Sequence, residues 1–174
     1  MGQHYLSKLF SPKSVAVIGA SERPDSVGNV VFKNMLEGGY QGALYAVNPK
    51  HGEILGKPTY ASLEDIGQPV ELAVIATKAE AVPDIIEACG KHGVLAAIIL
   101  SAGFSETGSH GEALEQAVLA NAKRPGLRVI GPNCLGVMRP AIGLNATFNR
   151  GSAKVGNLAL VSQSGALCTA ILDW

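Results

Sequence analysis

One stretch near the amino terminus decides the fold: Ser14-Val15-Ala16-Val17-Ile18-Gly19-Ala20-Ser21. Its apolar residues follow one another without alternation, which is typical of a strand buried on both faces of a parallel sheet. The run ends at a glycine, and a polar loop leads to Gly28 and an amphipathic segment. A strand that turns through glycine into a helix leaves backbone N–H groups unpaired, and open α/β sheets hold phosphorylated ligands with such groups. The stretch therefore predicts an α/β fold and a nucleotide-type ligand.

Further apolar runs of similar length recur along the chain. They are Leu44 to Val47, Leu72 to Ala76, Ala96 to Leu100 and Leu127 to Ile130. Between 48 and 71 the pattern is irregular and predicts only a short strand or turn at 57–60. Buried strands that alternate with helical segments indicate a Rossmann-like, doubly wound parallel sheet.

Three helices are predicted between these strands. The first begins after Ser26 as N-cap and ends at 38–39, the second begins near Pro83 and ends at 90–93, and the third runs from about Gly111 to Pro125. Spacing of three and four residues marks the side chains expected to face inward. These are Val27, Val31, Met35, Ile85, Ile86, Cys89, Leu114, Ala117 and Val118.

The pattern changes after Ile130. Prolines and glycines at 132, 140, 143 and 151 punctuate a stretch of weak periodicity, which predicts a linker. Residues 157–162 then resemble a strand, 163–165 a tight turn, and 166–174 the opening of a helix. We therefore expect a domain over 1–130, a linker over 131–156, and the truncated start of a second domain over 157–174.

Composition excludes several classes of function. Fourteen basic residues balance fourteen acidic ones and neither sign forms a run, which argues against a nucleic-acid or membrane surface. No apolar run approaches the length of a membrane span, and the amino terminus lacks the apolar core of a signal peptide. The three cysteines are far apart and odd in number, which favours a reducing compartment and suggests no metal site. A cytoplasmic location is expected.

Small, polar or turn-forming residues follow every predicted strand. Because parallel strands bring their carboxyl ends to one edge, these residues predict a ligand groove there. A dinucleotide site would show G-x-G-x-x-G after the first strand and an acidic residue after the second. This chain has neither, and the second strand ends in Asn48-Pro49-Lys50, where the cation suits a phosphate. The pattern weakens NAD as the ligand more than it weakens NADP.

Several residues at these positions allow two interpretations. Ser164 lacks the flanking glycines of a hydrolase nucleophile elbow, and Cys134 is better interpreted as a buried structural thiol than as a reactive one. His51 is better explained as a solvated loop residue than as a phosphate contact. Lys78 fits a ligand contact and a surface charge equally well.

Six motifs, in order, resemble the N-terminal part of the NDP-forming acyl-CoA synthetase superfamily. That group includes ADP-forming acetyl-CoA synthetase, the succinyl-CoA synthetase α subunit, and protein lysine acetyltransferases with a synthetase-like region. The likeness covers essentially the whole chain. The motifs are Ser11 to Ser21, Val47 to Lys50, Ser101 to Phe104, Gly131 to Gly136, Leu144 to Phe148 and Val161 to Leu167.

The resemblance implies a CoA-binding domain followed by a second, flavodoxin-like domain, and it assigns roles to the strand ends. Gly19, Ala20 and Ser21 would line the phosphates of CoA, and Lys50, after Asn48 and Pro49, would contact them from the second strand. The rest of the groove would be formed by Ala76, Thr77, Ser101, Ala102 and Gly103, with Asn133 and Cys134 near the CoA thiol. Ser162, Gln163, Ser164 and Gly165 would face a phosphohistidine at a helix N-terminus.

The same resemblance implies the chemistry of a longer parent protein. The parent would interconvert acyl-CoA, ADP and phosphate with an acid, ATP and CoA, using Mg, an acyl phosphate, a phosphohistidine and an ATP-grasp domain or subunit, and would form an oligomer. None of the four histidines here lies in the family's histidine motif, so no catalytic residue is expected in this chain and the fragment alone is expected to be inactive. The alternatives are an acyl-CoA-sensing region of a lysine acetyltransferase and an NADP-linked dehydrogenase domain.

Overall fold

A largely parallel sheet carries the fold. The computed structural model describes residues 6–123 and 125–173. The strands of the main sheet are β1 (Ser14–Ile18), β2 (Ala43–Val47), β3 (Glu53–Ile54), β4 (Lys57–Tyr60), β5 (Leu72–Ile75), β6 (Ala96–Ile99) and β7 (Arg128–Ile130). Their spatial order is β3-β4-β2-β1-β5-β6-β7, and only the β3–β4 pair is antiparallel.

Without β3 this is the strand order of a Rossmann sheet, which confirms the predicted fold class. The direction of winding reverses between β1 and β5, and a crevice opens outside the carboxyl ends of strands at such a point. All five strands predicted from apolar runs are present.

Helices cover both faces of the sheet. Those that pack on it are α1 (Ser7–Phe10), α2 (Val27–Glu37), α3 (Val82–Lys91) and α4 (Ser109–Lys123), whereas α5 (Gly165–Asp173) buries no side chain. Side chains of β1 alternate, so that Ala16 and Ile18 pack in the cluster that includes residues of α3 and α4, while Val15 and Val17 pack in the cluster that includes residues of α2.

Helix α2 begins where the sequence predicts. The N–H of Asn29 donates to the Ser26 hydroxyl at 3.3 Å, as expected of an N-cap. Val31 and Met35 are buried, together with Phe32, which the sequence analysis did not select. The prediction for Val27 is wrong: its side chain is 39% exposed, since it stands in the first turn, at the edge of the sheet.

The predicted linker contains a folded hairpin. Strands β8 (Gly136–Arg139) and β9 (Leu144–Thr147) pair antiparallel, and Leu144 is fully buried in the α2 cluster. The Asn34 side chain on α2 donates to the carbonyl of Thr147 at 2.9 Å and to that of Asn149 at 2.7 Å. The prediction of a linker is therefore wrong over 136–147, because the proline and glycine signals at 140 and 143 mark the turn of this hairpin.

The strand predicted over 157–162 does not pair in a sheet. Leu158 is 101% exposed and Val161 is 94% exposed. A strand requires a neighbour for its backbone hydrogen bonds, and the described residues supply none there. Helix α5 is present to Asp173, and the predicted end at Trp174 lies outside the described residues. The division into two domains stays a prediction.

The irregular region between β2 and β5 is a second hairpin. Strand β4 confirms the short strand predicted at 57–60, whereas the two residues of β3 are too few to give a pattern. The turn between them contains Leu55 at φ +48°, and its N–H donates to the Glu22 carboxylate in the loop after β1. The hairpin is thus fastened to the loop where the predicted ligand site begins.

No helix within the described ranges is long and apolar enough to cross a bilayer.

Candidate functional site

The carboxyl ends of the parallel strands are joined to one another at one edge. Main-chain N–H groups donate across three neighbouring pairs: Gly19 to the Val47 carbonyl at 2.9 Å, Ala76 to Ile18 at 2.8 Å, and Leu100 to Ile75 at 3.0 Å. The structure therefore brings the predicted strand-end residues into one continuous rim.

The first turn of this rim lies directly against helix α2. Gly19 has φ +90°, and a side chain there would meet the Ala76 carbonyl oxygen at 2.5 Å, so only glycine fits. A Cβ on Gly28 would overlap the Gly19 carbonyl group. The nine-residue step between the two glycines therefore ends in a close helix-to-strand contact.

Uncommitted N–H groups are concentrated at this contact. No hydrogen bond among the described residues uses the N–H of Ala20, Ser21, Val27 or Gly28. Two of these belong to the turn after β1 and two to the first turn of α2, where the helix dipole favours negative charge. The arrangement suits a phosphate group.

The end of β2 contributes a cation and an asparagine. Lys50 is exposed and forms no ion pair with any residue in the described ranges. Both polar atoms of the Asn48 side chain, by contrast, have partners within the protein: its amide nitrogen donates to the Ala20 carbonyl at 2.7 Å, and its oxygen accepts from the Lys50 N–H at 2.9 Å. Asn48 therefore joins the ends of β1 and β2.

Serine and threonine join the next two strand ends. The Ser101 hydroxyl, which is buried, donates to the Thr77 carbonyl at 2.7 Å. Gly103 has φ +108°, and its N–H donates to the Glu106 carboxylate at 2.7 Å. Bonds from backbone N–H groups, that of Gly103 first, hold the pKa of Glu106 below its ordinary value. The backbone N–H of Gly103, at this end of the rim, is therefore already bonded to a carboxylate of the protein itself.

The turn after β7 closes the rim. The Asn133 N–H donates to the Ser101 carbonyl at 2.9 Å, and the Cys134 thiol lies 3.3 Å from the Ile99 carbonyl oxygen. Burial raises the pKa of Cys134 to about 11, which agrees with a structural thiol.

The turn at Ser162–Gly165 lies near this last segment. A Cβ on Gly165 would stand 3.8 Å from the Leu135 side chain, next to Cys134. The Ser164 N–H donates to the Ser162 hydroxyl at 3.0 Å, and the Leu167 N–H donates to the Ser164 hydroxyl at 3.3 Å. Ser164 therefore caps α5, and a nucleophilic role is not supported.

Sequence reasoning missed three supporting side chains. Asn29 donates to the Ser21 carbonyl at 2.8 Å, Glu22 accepts from Leu55, and Glu106 accepts from Gly103. Each follows a predicted site residue within eight positions, but nothing in the amino-acid sequence indicates with which backbone group its side chain forms a hydrogen bond.

A separate groove of about 250 Å³ lies between α2 and residue 150. Its charged residues neutralise one another: Arg150 pairs with Asp25 at 2.6 Å and Lys33 with Glu37 at 3.6 Å. The described residues also contain no group of three or more side chains that could hold a metal ion. The strand-end rim remains the candidate site.

Comparison with known proteins identifies this architecture. A family model for a CoA binding domain matches residues 13–140. The chain is 46% identical to an ADP-forming acetate–CoA ligase I of Archaeoglobus fulgidus, over 97% of this chain and 24% of that protein. It is 45% identical to the α subunit of an ADP-forming acetate–CoA ligase I of Pyrococcus furiosus, over 97% of this chain and 37% of the subunit.

A solved structure gives the same result. The ADP-forming acetyl-coenzyme A synthetase 1 of Ca. Korarchaeum cryptofilum, in complex with phosphate and ADP, superposes with a TM-score of 0.91 and 38% identity, over 97% of this chain and 36% of that one. The chain thus spans between about a quarter and a little over a third of the length of these relatives. It belongs to the CoA-binding domain family and corresponds to the N-terminal, CoA-binding portion of ADP-forming acetyl-CoA synthetases.

Proposed function

We propose that this chain binds CoA along the strand-end rim. The phosphates lie over Gly19–Ser21 and Lys50, the pantetheine arm passes Ala76, Thr77 and Ser101–Gly103, and the thiol reaches Asn133 and Cys134. The observation that carries this assignment is the set of unused N–H groups at the contact of β1 with α2, beside the unpaired Lys50. Phosphates need such donors and a cation.

The parent protein that we propose is an ADP-forming acyl-CoA synthetase. It converts acid, ATP and CoA to acyl-CoA, ADP and phosphate, with Mg, an ATP-grasp domain or subunit and a phosphohistidine supplied outside this chain. The proximity of Gly165 to Leu135 supports this proposal, since a phosphoryl-facing turn and the CoA thiol would then be neighbours. The three free cysteines support a cytoplasmic location.

The test of CoA binding is calorimetry on the wild-type chain and Lys50→Ala. A charge-assisted phosphate contact contributes about 1.5–3 kcal/mol, so the variant should bind CoA roughly ten- to a hundredfold more weakly. If Lys50 meets the 3′-phosphate, the loss for dephospho-CoA is smaller; if it meets the pyrophosphate, the two losses are equal.

Lys123→Ala is the matched control, because it removes the same charge at the end of α4, on the opposite edge of the sheet. It should leave CoA affinity unchanged. Tight binding of NADPH by the wild-type chain, without binding of CoA, would refute the proposal and favour a dehydrogenase domain.

A further inference from the structure

Both polar atoms of the Asn48 side chain already have a hydrogen-bond partner within the protein, which leaves one amide hydrogen and one oxygen lone pair unused. Its amide nitrogen is committed to the Ala20 carbonyl at 2.7 Å, and its oxygen to the Lys50 N–H at 2.9 Å. Its backbone N–H donates to the Tyr60 carbonyl at 2.9 Å. One residue thus connects the end of β1, the end of β4 and the backbone that carries Lys50.

These bonds fix the position of the backbone from which the Lys50 side chain extends. Pro49 restricts its own φ and confines Asn48 to extended conformations, so that the segment has little freedom of its own. The side-chain oxygen of Asn48 then holds the N–H two residues on, in the manner of an Asx turn. The bond to Ala20 ties that turn to the β1 turn with the unused N–H groups.

We propose that Asn48 is a positioning residue, which sets the distance between the Lys50 ammonium and the N–H groups of the β1 turn so that both reach the same phosphates. It acts through Lys50 and does not contact the ligand. This inference rests on the proposed binding of CoA.

The reason is geometric. When a flexible lysine binds an anion, the conformational entropy lost by its side chain and backbone offsets part of the binding free energy. If the backbone is already held in place, less entropy is lost on binding. Removing Asn48 leaves the charge of Lys50 intact but releases its backbone from the β1 turn.

The experiment is a double-mutant cycle by calorimetry with CoA and dephospho-CoA. The proteins are the wild-type chain, Asn48→Ala, Lys50→Ala and the double variant. We expect Asn48→Ala to weaken CoA about tenfold, with the same ratio between the two ligands as Lys50→Ala. In the Lys50→Ala background the further loss from Asn48→Ala should be less than twofold, since the residue through which it acts is gone.

Two more variants separate positioning from general damage. Asn48→Ser keeps an acceptor for the Lys50 N–H and should give an intermediate affinity, and it serves as the test protein if Asn48→Ala does not fold. Asn121→Ala removes a comparable side-chain bond, to the Pro83 carbonyl at 2.9 Å between α3 and α4, and should leave CoA affinity unchanged.

Each outcome decides a different question. Absence of CoA binding by the folded wild-type chain refutes the proposed function itself. Wild-type binding with fully additive losses in the double variant, or with no loss in either Asn48 variant, overturns the positioning role. Additive losses would mean that Asn48 contacts the ligand directly or supports the rim without acting through Lys50.

Discussion

Cys134 shows at the scale of one residue how burial decides chemistry. Its position at a strand end, in a motif that resembles the CoA-thiol region, raises the question of a reactive thiol, although the sequence favours a structural one. The structure places its sulfur 3.3 Å from the Ile99 carbonyl oxygen, and burial raises its pKa to about 11. The thiolate is the nucleophilic form, so the native thiol should be unreactive near neutral pH.

This can be measured by alkylation with iodoacetamide at pH 8, followed by mass spectrometry of the Cys134 peptide. About one native thiol in a thousand is ionised at that pH, against roughly a quarter of thiols with an ordinary pKa. We expect native Cys134 to react at least a hundredfold more slowly than in the urea-unfolded chain, and its rate to rise about tenfold per pH unit towards pH 10. Equal rates in the native and unfolded chains would contradict the structural role.

At the scale of elements, the site depends on how closely α2 approaches β1. Gly19 and Gly28 meet there without side chains, which lets the first turn of the helix lie against the turn after the strand. The sequence shows both glycines but not that they touch, because eight residues, most of them in an irregular loop, separate them.

Gly28→Ala tests this contact. The added methyl group would overlap the Gly19 carbonyl, and backbone cannot move aside as a flexible side chain can. We expect a loss of about 1–3 kcal/mol in the free energy of unfolding in urea, since overpacking of this kind forces backbone shifts. CoA affinity should fall as well, because the unused N–H groups separate.

Gly52→Ala is the matched substitution. No atom of the residues that the structure describes lies within 4 Å of a Cβ at Gly52, and its φ is not in the left-handed region, so the methyl group has space. If Gly28→Ala were as stable as Gly52→Ala, the close approach of α2 to β1 would not be needed.

At the scale of the whole molecule, the described chain is packed into the core up to about residue 150 and is largely exposed beyond it. The β8–β9 hairpin is part of the core, and Leu144 and Ala146 are fully buried beneath α2. Beyond it, no side chain of α5 is buried, and residues 157–162 pair with no strand of the described residues.

Limited proteolysis of the intact chain should therefore cut first between 152 and 164. Burial of a leucine side chain contributes about 1.5–3 kcal/mol, so the hairpin should stay folded with the Rossmann sheet. A protease-resistant fragment that ends near 150, identified by mass spectrometry, is the expected product. First cleavage at 131–135, with release of the hairpin, would instead restore the linker predicted from the sequence.

The sequence by itself determined the five central strands of the sheet. Its five apolar runs, the cap at Ser26 and the glycine after Ile18 are local signals, because propensity, period and capping act over a few residues. The sequence also located the candidate rim, since a parallel sheet must bring its strand ends to one edge.

Only the tertiary structure decided which residues of that rim are free to contact a ligand and which hold the strand ends together. Whether Asn48 faces a ligand or bridges two strands depends on the position of Ala20, which lies 28 residues away in the chain. The hairpin at 136–147 could not be predicted from the sequence for the same reason, because its burial depends on contact with α2. Contacts between distant segments leave no period in the sequence, and at this site they determine which polar groups remain free.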